Sequence, residues 1–370
     1  MELDDIREEI DRIDSELLPL FIKRMECAEK VAKIKAEKGL PVFNGGREGE
    51  ILRSAAEKSG RHAGETRALF SYIMSMSRDT QYKILGSGKA LRGTIKNAPP
   101  FVPEAKTAAC LGQKGSFSHE ALGRLFPGAS AEFFSCFGDI FEAVKNGRAD
   151  CGVLPVENSS AGSVGEVYDL ILKYRFYISG ALSLPVRDCL ASREKDIAGV
   201  KAVYSHPQAL KQCSEFLSGH TFKACPYQST AQAARMAAET PGTAAVCSRH
   251  AADGYGLNVL ADNIQNCDGN RTRFIVISRT LFIPPEANKI SLCFSLPHST
   301  GTLCSVLERF ARAGLNLTKM ESRPIPDKNF EYDFYLDFTG NVSDPDTLGL
   351  ICSLYDELPR FSFLGNYTEK

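Results

Sequence analysis

The chain has 370 residues, more than one compact domain usually holds, so we expect two or three domains. Its 44 Lys and Arg residues nearly balance 45 Asp and Glu residues, a net charge of -1. That balance argues against a nucleic-acid binder that relies on bulk positive charge. No apolar run approaches the roughly 18 residues of a membrane span, and the start Met-Glu-Leu-Asp-Asp is acidic where a secretory signal would be basic. We therefore expect a soluble cytoplasmic protein.

The 12 cysteines lie apart from one another and form no C-x-x-C pair. Zinc sites usually contain such close pairs, and disulfides are uncommon in a large chain that lacks a secretory signal. We expect reduced thiols, most of them buried.

The first segment has helical periodicity. Apolar residues recur in steps of three and four over residues 3–34, which predicts one long amphipathic helix that ends at Gly39-Leu40-Pro41. Pro19 lies inside this run and is expected to kink the helix. Two further helices are predicted, from about 47 to 59 and from about 65 into the 80s. Three such helices do not easily close a core alone, so we expect an intertwined helical dimer.

The remaining segments are separated by Gly and Pro. Residues 86–104 contain several of both and are predicted to form a linker. The next 180 or so residues alternate short apolar runs with helix-like stretches, which indicates an α/β fold with mainly parallel strands. The last segment has the order β-α-β-β-α-β, the split ferredoxin-like arrangement. The predicted domains are 1–92 and 106–285, joined by a linker at 93–105, and 288–370.

Cationic residues mark the helical segment. Arg24 and Lys35 are eleven residues apart, or roughly 20° around a helix, so both face one side and could bracket a small anion. Arg7 lies ~25 Å away along the same helix and could reach that anion only from a two-fold partner. Arg47-Glu48 opens the second helix, and Ser77 and Gln81 lie one turn apart on the third. On spacing alone, solvated charges on amphipathic helices remain an alternative.

Several of these cationic residues lie in the patterns Ile6-Arg7-Glu8-Glu9-Ile10 and Val31-Ala32-Lys33-Ile34-Lys35. Through these patterns, residues 1–92 resemble the all-helical chorismate mutase family. The resemblance implies that Arg24 and Arg7 of the partner subunit hold the two carboxylates of chorismate. Lys35 and Gln81 would donate to the ether oxygen as its bond breaks, and Glu48 would accept from the ring hydroxyl. Arg47, Asn44 and Ser77 would complete the pocket.

A pericyclic rearrangement suits such a site, because it needs no nucleophile. It needs the dianion held in a compact shape and cations placed where negative charge grows on the ether oxygen. Asn44 stands where the family often has Asp, and Pro19 is a second departure from the family pattern. A mutase domain that has lost activity therefore stays open as an alternative.

Three polar clusters mark the α/β segment. Gly112–His119 joins a predicted strand to a helix, a weak sign of an anion cradle and neither a Walker nor a Rossmann loop. Pro155–Ser160 and Tyr204–Gln208 each follow a strand, and Asn270–Phe274 immediately precedes Ile275-Val276-Ile277. Ligands of open α/β sheets collect at the carboxyl ends of strands. The clusters therefore indicate a cleft between two lobes, although each alone could be a turn or helix cap.

Four motifs of this segment resemble, in their order along the chain, those of the prephenate dehydratase family. They are Gly115-Ser116-Phe117-Ser118, Pro155-Val156-Glu157-Asn158, Ser205-His206-Pro207-Gln208 and Thr272-Arg273-Phe274. The family's catalytic domain has two lobes like those of type-2 periplasmic binding proteins. The resemblance implies that Thr272 is the central catalytic residue, helped by Asn158, Ser205 and Gln208. The residues it implies for substrate binding are Ser116, Ser118, Glu157, His206 and Arg273.

The dehydratase reaction removes a ring carboxylate and the hydroxyl opposite, and aromaticity drives both departures. A positioned hydrogen-bond donor assists the hydroxyl, so we expect Thr272 to act by geometry and to relay a proton. Glu157 or His206 could supply that proton, and the sequence does not decide; His206 could equally be a buried structural residue. Thr272 and Arg273 would point to opposite faces of a strand, so Arg273 could instead anchor the neighbouring lobe.

In the last segment, Gly301-Thr302-Leu303 opens a helix and Glu321-Ser322-Arg323-Pro324 follows the second strand. These motifs resemble the phenylalanine site of the ACT domain appended to dehydratases, with Thr302 in place of a small Ala. The resemblance implies an allosteric L-phenylalanine site between paired modules. A purely stabilising role is the alternative. The residues expected at the site are Gly301, Thr302, Leu303, Asn316, Glu321, Ser322 and Arg323.

Taken together, the three resemblances predict an enzyme of the bifunctional chorismate mutase–prephenate dehydratase family. It would convert chorismate to prephenate and prephenate to phenylpyruvate in phenylalanine biosynthesis, under feedback inhibition by L-phenylalanine. We expect a homodimer or homotetramer, and no metal, flavin or nucleotide is implied. The alternatives are a dehydratase with a degenerate mutase domain and a non-enzymatic receptor for an aromatic acid.

Overall fold

A computed structural model describes residues 3–101, 103–325, 328 and 331–370. Met1 and Glu2, part of the acidic start considered above, lie outside the described residues. The chain divides into two compact units, residues 1–97 with 292–362 and residues 98–291 with 363–370. Within the described ranges, no helix is both long enough and apolar enough to cross a membrane.

The three predicted N-terminal helices are confirmed as α1 (Leu3–Lys38), α2 (Gly45–Lys58) and α3 (Ala63–Leu85). Pro19 lies inside α1, which continues through it as one element of 36 residues. Asn44 caps α2, since its side chain accepts a hydrogen bond from the backbone N–H of Arg47. Gly86, with a φ of 65°, ends α3.

A helix, α4 (Lys89–Lys96), lies where the sequence predicts a linker, so that part of the prediction is wrong. The start of α4 packs closely against α13 (Pro345–Glu357). A Cβ added to Gly88, whose φ is 69°, would lie 2.5 Å from the Cβ of Cys352, and the Gly88 N–H donates to Asp356 at 2.8 Å. Glycine is therefore needed here for close packing, not for flexibility.

The α/β segment forms two sheets and seven helices within the described part of the second unit. In chain order its elements are β1 (Thr107–Leu111), α5 (Phe117–Leu125), β2 (Ser130–Phe134), α6 (Phe137–Lys145), β3 (Cys151–Asn158), β4 (Gly162–Ser163), α7 (Gly165–Tyr174), β5 (Tyr177–Pro185), β6 (Cys189–Ser192), β7 (Ala202–Ser205), α8 (Pro207–Gln212), α9 (Ser214–Ser218), β8 (Lys223–Pro226), α10 (Thr230–Glu239), β9 (Thr243–Cys247), α11 (Arg249–Gly254), β10 (Asn258–Ala261) and β11 (Arg271–Ser278).

Each sheet is the centre of one lobe, which confirms the two-lobed fold. The first has the order β2-β1-β3-β11-β5, with β4 beside β3, and the second has the order β10-β6-β9-β7-β8. The chain leaves the first lobe after β5 and returns to it as β11.

The strands are not mainly parallel, and this part of the prediction is wrong. Among the described strand pairs of the two lobes, β1 pairs in parallel with β2 and β3, and β7 with β8 and β9, while the other pairs are antiparallel. The returning strand β11 runs antiparallel to both of its neighbours. Its first residues therefore lie beside the carboxyl end of β3, which explains why the third polar cluster precedes its strand.

The cysteines match the expectation of thiols that are mostly buried, and the described residues contain no disulfide. Cys110, Cys151, Cys189 and Cys247 lie on strands of the two lobes and belong to their cores. The other buried cysteines are Cys213, Cys293 and Cys352.

The C-terminal segment has the predicted β-α-β-β-α-β order. Its sheet has the strand order β13-β14-β12-β15, as a ferredoxin-like module requires. The edge strand β13 pairs with one neighbour within the chain. With α13 given above, its elements are β12 (Lys289–Ser295), α12 (Thr302–Arg312), β13 (Leu317–Pro324), β14 (Tyr332–Thr339) and β15 (Ser362–Tyr367).

Candidate functional site

The helical segment gathers the predicted cations near α3. The Arg24 guanidinium crosses from α1 and donates to the Ser77 hydroxyl at 2.7 Å. Lys35 donates from Nζ to the carbonyl of Val42. Burial lowers the pKa of both Arg24 and Lys35, and the nearby Glu48 carboxylate opposes that lowering in each case. The two cations therefore share one region with Glu48, as their spacing predicts.

Gln81 is buried in the same region. Its Nε2 donates to the carbonyl of Ser77 at 3.2 Å, but its buried Oε1 has no hydrogen-bond partner among the described residues. A buried acceptor without a partner is costly in a folded protein. Such a group is expected where a ligand supplies the missing partner.

The other predicted mutase residues lie apart from this cluster. Asn44 is occupied as the cap of α2, and the exposed Arg47 side chain pairs with Glu50 on its own helix at 3.1 Å. Arg7 is also exposed and pairs with Asp4. A single chain thus brings together Arg24, Lys35, Glu48, Ser77 and Gln81, and does not bring Arg7, Arg47 or Asn44 to them.

Arg78 is a residue of this region that sequence reasoning missed. Its Nη1 donates to Glu48 Oε2 at 2.5 Å, and its Nε lies 3.5 Å from Oε1 of Glu357 on α13. Burial lowers the pKa of Arg78, but the Glu357 and Glu48 carboxylates raise it above the ordinary value. The sequence carries no signal for Arg78, because Glu357 comes from the distant C-terminal segment.

In the α/β unit, Asn158 and Thr272 lie opposite each other at the ends of β3 and β11. Asn158 Oδ1 accepts from the backbone N–H groups of Ser160 and Ala161, which fixes the orientation of the amide. Its Nδ2 donates to Thr272 Oγ1 at 2.8 Å and also contacts Asn270 Oδ1 at 2.9 Å. Since Thr272 Oγ1 accepts from Asn158, its own hydroxyl hydrogen is left to donate elsewhere.

Thr272 and Asn158 line a cavity of about 290 Å³. It contains residues of both lobes, since His206 and Gln208 begin α8 of the second lobe. The structure thus places four predicted residues at the cleft. The lining also includes Phe117, Ala161, Val186, Asp188, Ala209, Gln212, Ser229, Thr230 and Asn270.

His206 is exposed, which corrects the buried alternative, and its ring Nδ1 accepts from the backbone N–H of Gln208 as a cap of α8. Ser205 is fully buried and donates to the carbonyl of Val246 at 2.6 Å. Ser205 therefore joins β7 to β9 and does not line the cavity. Glu157 lies next to Asn158 on β3 and is likewise absent from the lining.

The remaining predicted dehydratase residues have other contacts. Ser116 caps α5 by accepting from the His119 N–H, and Ser118 is buried in the first turn of that helix. Arg273 points away from Thr272, as predicted, and donates to Glu369 and to the Tyr367 hydroxyl. It therefore contacts the C-terminal residues of the chain.

Asp188 is a cleft residue that sequence reasoning missed. It lines the cavity, is only 2% exposed, and within the part of the chain that the structure describes its Oδ1 has no hydrogen-bond partner. Its Oδ2 accepts from the thiol of Cys213, at 4.0 Å. Burial raises the pKa of Asp188 from 3.8 to about 6. Nothing in the sequence Val186-Arg187-Asp188-Cys189 indicates that this carboxyl is buried.

In the C-terminal module, Thr302 lines a cavity to which Tyr332 and Phe334 of β14 also contribute. Gly301 and Leu303 are its neighbours in the sequence. Glu321, Ser322 and Arg323 lie on the edge strand β13 and do not line it. Asn316 precedes β13, and its carbonyl accepts from the N–H of Thr339. Within one chain, the predicted phenylalanine-site residues therefore fall into two groups.

These modules define a multidomain enzyme with a helical mutase-type region and a two-lobed dehydratase-type cleft. The family description "Chorismate mutase type II" matches residues 6–82, and "Prephenate dehydratase" matches residues 108–281. The bifunctional chorismate mutase/prephenate dehydratase of Aquifex aeolicus (strain VF5) is 34% identical over 99% of this chain and 98% of its own length. The chain belongs to the bifunctional chorismate mutase/prephenate dehydratase family, and it carries both enzymes' domains.

Two solved structures resemble a large part of the chain. One, described as GqqA, a novel type of quorum quenching acylase, is 28% identical with a TM-score of 0.66, over 71% of this chain and 98% of that one. The prephenate dehydratase of Arthrobacter aurescens in complex with L-Phe is 31% identical with a TM-score of 0.63, over 71% of this chain and 90% of that one.

Proposed function

We propose that Arg24, Lys35, Glu48, Ser77 and Gln81 form the mutase site of each chain. The observation that supports it is the cluster of Arg24, Lys35 and Glu48 near Gln81, whose Oε1 has no hydrogen-bond partner among the described residues. Arg24 binds a carboxylate of chorismate, while Lys35 and Gln81 stabilise the charge that grows on the ether oxygen. Glu48 accepts from the ring hydroxyl.

Arg7 enters this site from a second copy of the chain, in a homodimer or homotetramer. Among the described residues of α1, only Ala28 and Ala32 are buried. A helix with so much uncovered apolar surface needs a partner. The uncovered side chains include Leu3, Ile6, Ile10, Ile13, Leu17, Leu18, Leu20 and Ile22.

In the dehydratase cleft, Thr272 donates a hydrogen bond to the departing hydroxyl of prephenate. The amide of Asn158 occupies a lone pair of Thr272 Oγ1 and so directs the hydroxyl hydrogen away from itself. Gln208 and His206 contact the substrate from the second lobe. The electrons of the broken bond to the ring carboxylate enter the ring, which becomes aromatic as the C–O bond breaks and CO₂ leaves.

Each turnover consumes one proton, because the prephenate dianion is converted to the phenylpyruvate monoanion, CO₂ and water. Asp188 supplies this proton, directly or through Thr272. Among the described residues that line the cavity, Asp188 and His206 are the two with titratable side chains. Asp188 is the buried one, and a carboxyl whose pKa is near 6 retains its proton in weakly acidic solution.

The C-terminal module binds L-phenylalanine and inhibits the dehydratase. The L-Phe complex of the Arthrobacter aurescens dehydratase supports this assignment. The two groups of predicted site residues would meet when edge strands of two modules pair, which places Thr302 of one chain near Glu321 of another. The test is dehydratase turnover in rising L-phenylalanine; turnover that is indifferent to millimolar amino acid would favour a purely stabilising module.

One assay tests both activities. Chorismate is supplied, and prephenate and phenylpyruvate are followed. We expect Lys35→Ala to abolish chorismate consumption and to spare dehydration of supplied prephenate. Thr272→Val, which removes the hydroxyl at nearly constant volume, should block phenylpyruvate formation and spare chorismate consumption, and Thr272→Ser should restore part of the rate. Full dehydratase activity in Thr272→Val would refute the assignment.

A further inference from the structure

We propose that Arg78 is a positioning residue of the mutase site and that Glu357 of the C-terminal module holds it in place. The inference rests on the proposed role of Glu48 as the acceptor for the ring hydroxyl of chorismate. Arg78 contacts Glu48 with Nη1 and Glu357 with Nε, so one guanidinium joins two carboxylates from different segments of the chain.

The contact with Arg78 determines which oxygen of Glu48 is available. Arg78 bonds to Oε2 of Glu48. No hydrogen bond of the described residues involves Oε1, which leaves that oxygen to accept from a substrate hydroxyl. This single charge-assisted hydrogen bond from a planar guanidinium restrains the Glu48 carboxylate, whereas a free Glu side chain rotates among several conformers. Arg78 thereby keeps Glu48 oriented before the substrate arrives.

Arg78 is itself held by a network from the C-terminal module. Arg309 of α12, which is 2% exposed in its side chain, donates to the second oxygen of Glu357 at 2.8 Å and contacts Asp79 at 2.9 Å. Arg312 also contacts Asp79. Three anions and three cations alternate along this path, in the order Glu48, Arg78, Glu357, Arg309, Asp79 and Arg312.

Burial makes the network sensitive to the loss of one member. The side chain of Arg78 is 10% exposed, that of Glu357 15% and that of Glu48 21%. Water can therefore replace a missing partner only in part, and the remaining charges must rearrange. Removal of Glu357 leaves Arg78 with Glu48 as its one carboxylate partner in this path, so the orientation of Glu48 changes although Glu357 is not in the mutase segment.

The test measures mutase kcat and KM in the full-length protein, with the dehydratase activity of the same chain as the internal control. Arg78→Met should lower mutase kcat about tenfold, the order expected for one charge-assisted hydrogen bond. Arg78→Lys keeps the positive charge but lacks the planar guanidinium. Its KM for the dianionic substrate should be closer to the wild-type value than that of Arg78→Met, while its kcat stays low. A merely structural role would not separate KM from kcat in this way.

Glu357→Gln should lower mutase kcat by about threefold in the wild-type background and have no further effect in the Arg78→Met background. Lys83→Met is the matched control. It removes the exposed Lys83–Asp346 pair, which joins the same two helices and does not reach Glu48. We expect mutase kcat to be unchanged in this variant.

Additive effects of Arg78→Met and Glu357→Gln would overturn the inference, as would a parallel loss of both activities in Arg78→Met. Glu48→Gln separates this inference from the proposed function. If Glu48→Gln is impaired but Arg78→Met is fully active, the positioning role of Arg78 is wrong and the role of Glu48 stands. If Glu48→Gln is fully active, the proposed role of Glu48 is wrong, and the inference that rests on it is wrong as well.

Discussion

Replacement of Asp188 by Asn separates catalysis from stability in the dehydratase cleft. The substitution keeps the size of the side chain and removes its acidic proton. We expect dehydratase kcat/KM at pH 6 to fall about 100-fold, the lower range for loss of a general acid. Mutase activity, measured on the same preparation, should not change, because none of the proposed mutase residues belongs to this unit.

The same substitution should stabilise the protein above neutral pH. In the folded chain Asp188 has a pKa of about 6, against 3.8 for an ordinary aspartate. At 1.36 kcal/mol for each pKa unit, this difference destabilises the ionised folded state by about 3 kcal/mol. Below about pH 4 the carboxyl is protonated in both the folded and the unfolded chain, so the destabilisation disappears.

The sign of the pH dependence follows. As pH rises from about 4 to about 6, wild-type protein loses stability at this site, whereas the Asn variant does not. The free energy of unfolding of the variant, relative to wild type, should therefore increase by about 3 kcal/mol between pH 4 and pH 8. Urea unfolding, followed by circular dichroism at both pH values, measures it. The relevant transition is the one in which dehydratase activity is lost, since a multidomain chain need not unfold in one step.

The wild-type enzyme should also lose dehydratase kcat/KM as pH rises through about 6, because the free enzyme must carry the Asp188 proton. Asp188 contacts the thiol of Cys213 at 4.0 Å and interacts electrostatically with the thiol of Cys247. Burial raises the pKa of Cys213 to about 12, so Cys213 stays neutral in this range. His206 also lines the cavity. A His206→Gln variant should show the same decline of kcat/KM with rising pH, whatever its absolute rate. An Asp188→Asn enzyme with the same pH profile as wild type would refute the reasoning.

Three further predictions concern the remaining proposals. Co-refolding of Arg7→Ala chains with Lys35→Ala chains should restore about a quarter of wild-type mutase activity, since half the dimers are mixed and each has one intact site; a mixture no more active than its parents would exclude a shared site. Gly88→Ala should cost about 2 kcal/mol more in unfolding free energy than Gly86→Ala, because the new Cβ would meet Cys352 at position 88 and nothing within 4 Å at position 86; equal effects would contradict the packing argument. Arg273→Met should lower the thermal stability of the dehydratase unit by removing the hydrogen bonds from Arg273 to Glu369 and to the Tyr367 hydroxyl, while Arg271→Met, at an exposed position of the same strand, should not.

Sequence reasoning recovered the elements whose signal is local. The periodicity of α1 and the apolar runs of β1 and β9 predicted those elements to within a few residues, because helix and strand patterns depend on near neighbours. Thr272 and Asn158 were recognised from motifs at strand ends. What the sequence could not show was that β11 runs antiparallel to β3, since strand direction depends on the path of the chain between the lobes.

The residues that reasoning missed depend on distant partners. Asp188 lies in a stretch without any motif, and only the tertiary structure buries its carboxyl. Arg78 looks like a surface residue of an amphipathic helix until Glu357 of the C-terminal segment is placed beside it. Ser205, a residue that the family resemblance implies for catalysis, donates its hydroxyl to a backbone carbonyl within the second lobe.

The residue beside Thr272 links the catalytic cleft to the end of the chain. Glu369 pairs with both Arg273 and Lys289, and the backbone of residues 368–370 bonds to Ala181 and Ser183 of β5. A fragment cut at residue 285 would retain every side chain of the cleft and still lose the counter-ion and the additional backbone pairing behind it. Excision or domain grafting at the boundary suggested by the sequence would thus leave a buried guanidinium without its carboxylate. For protein engineers, the dehydratase module extends to the final residue described.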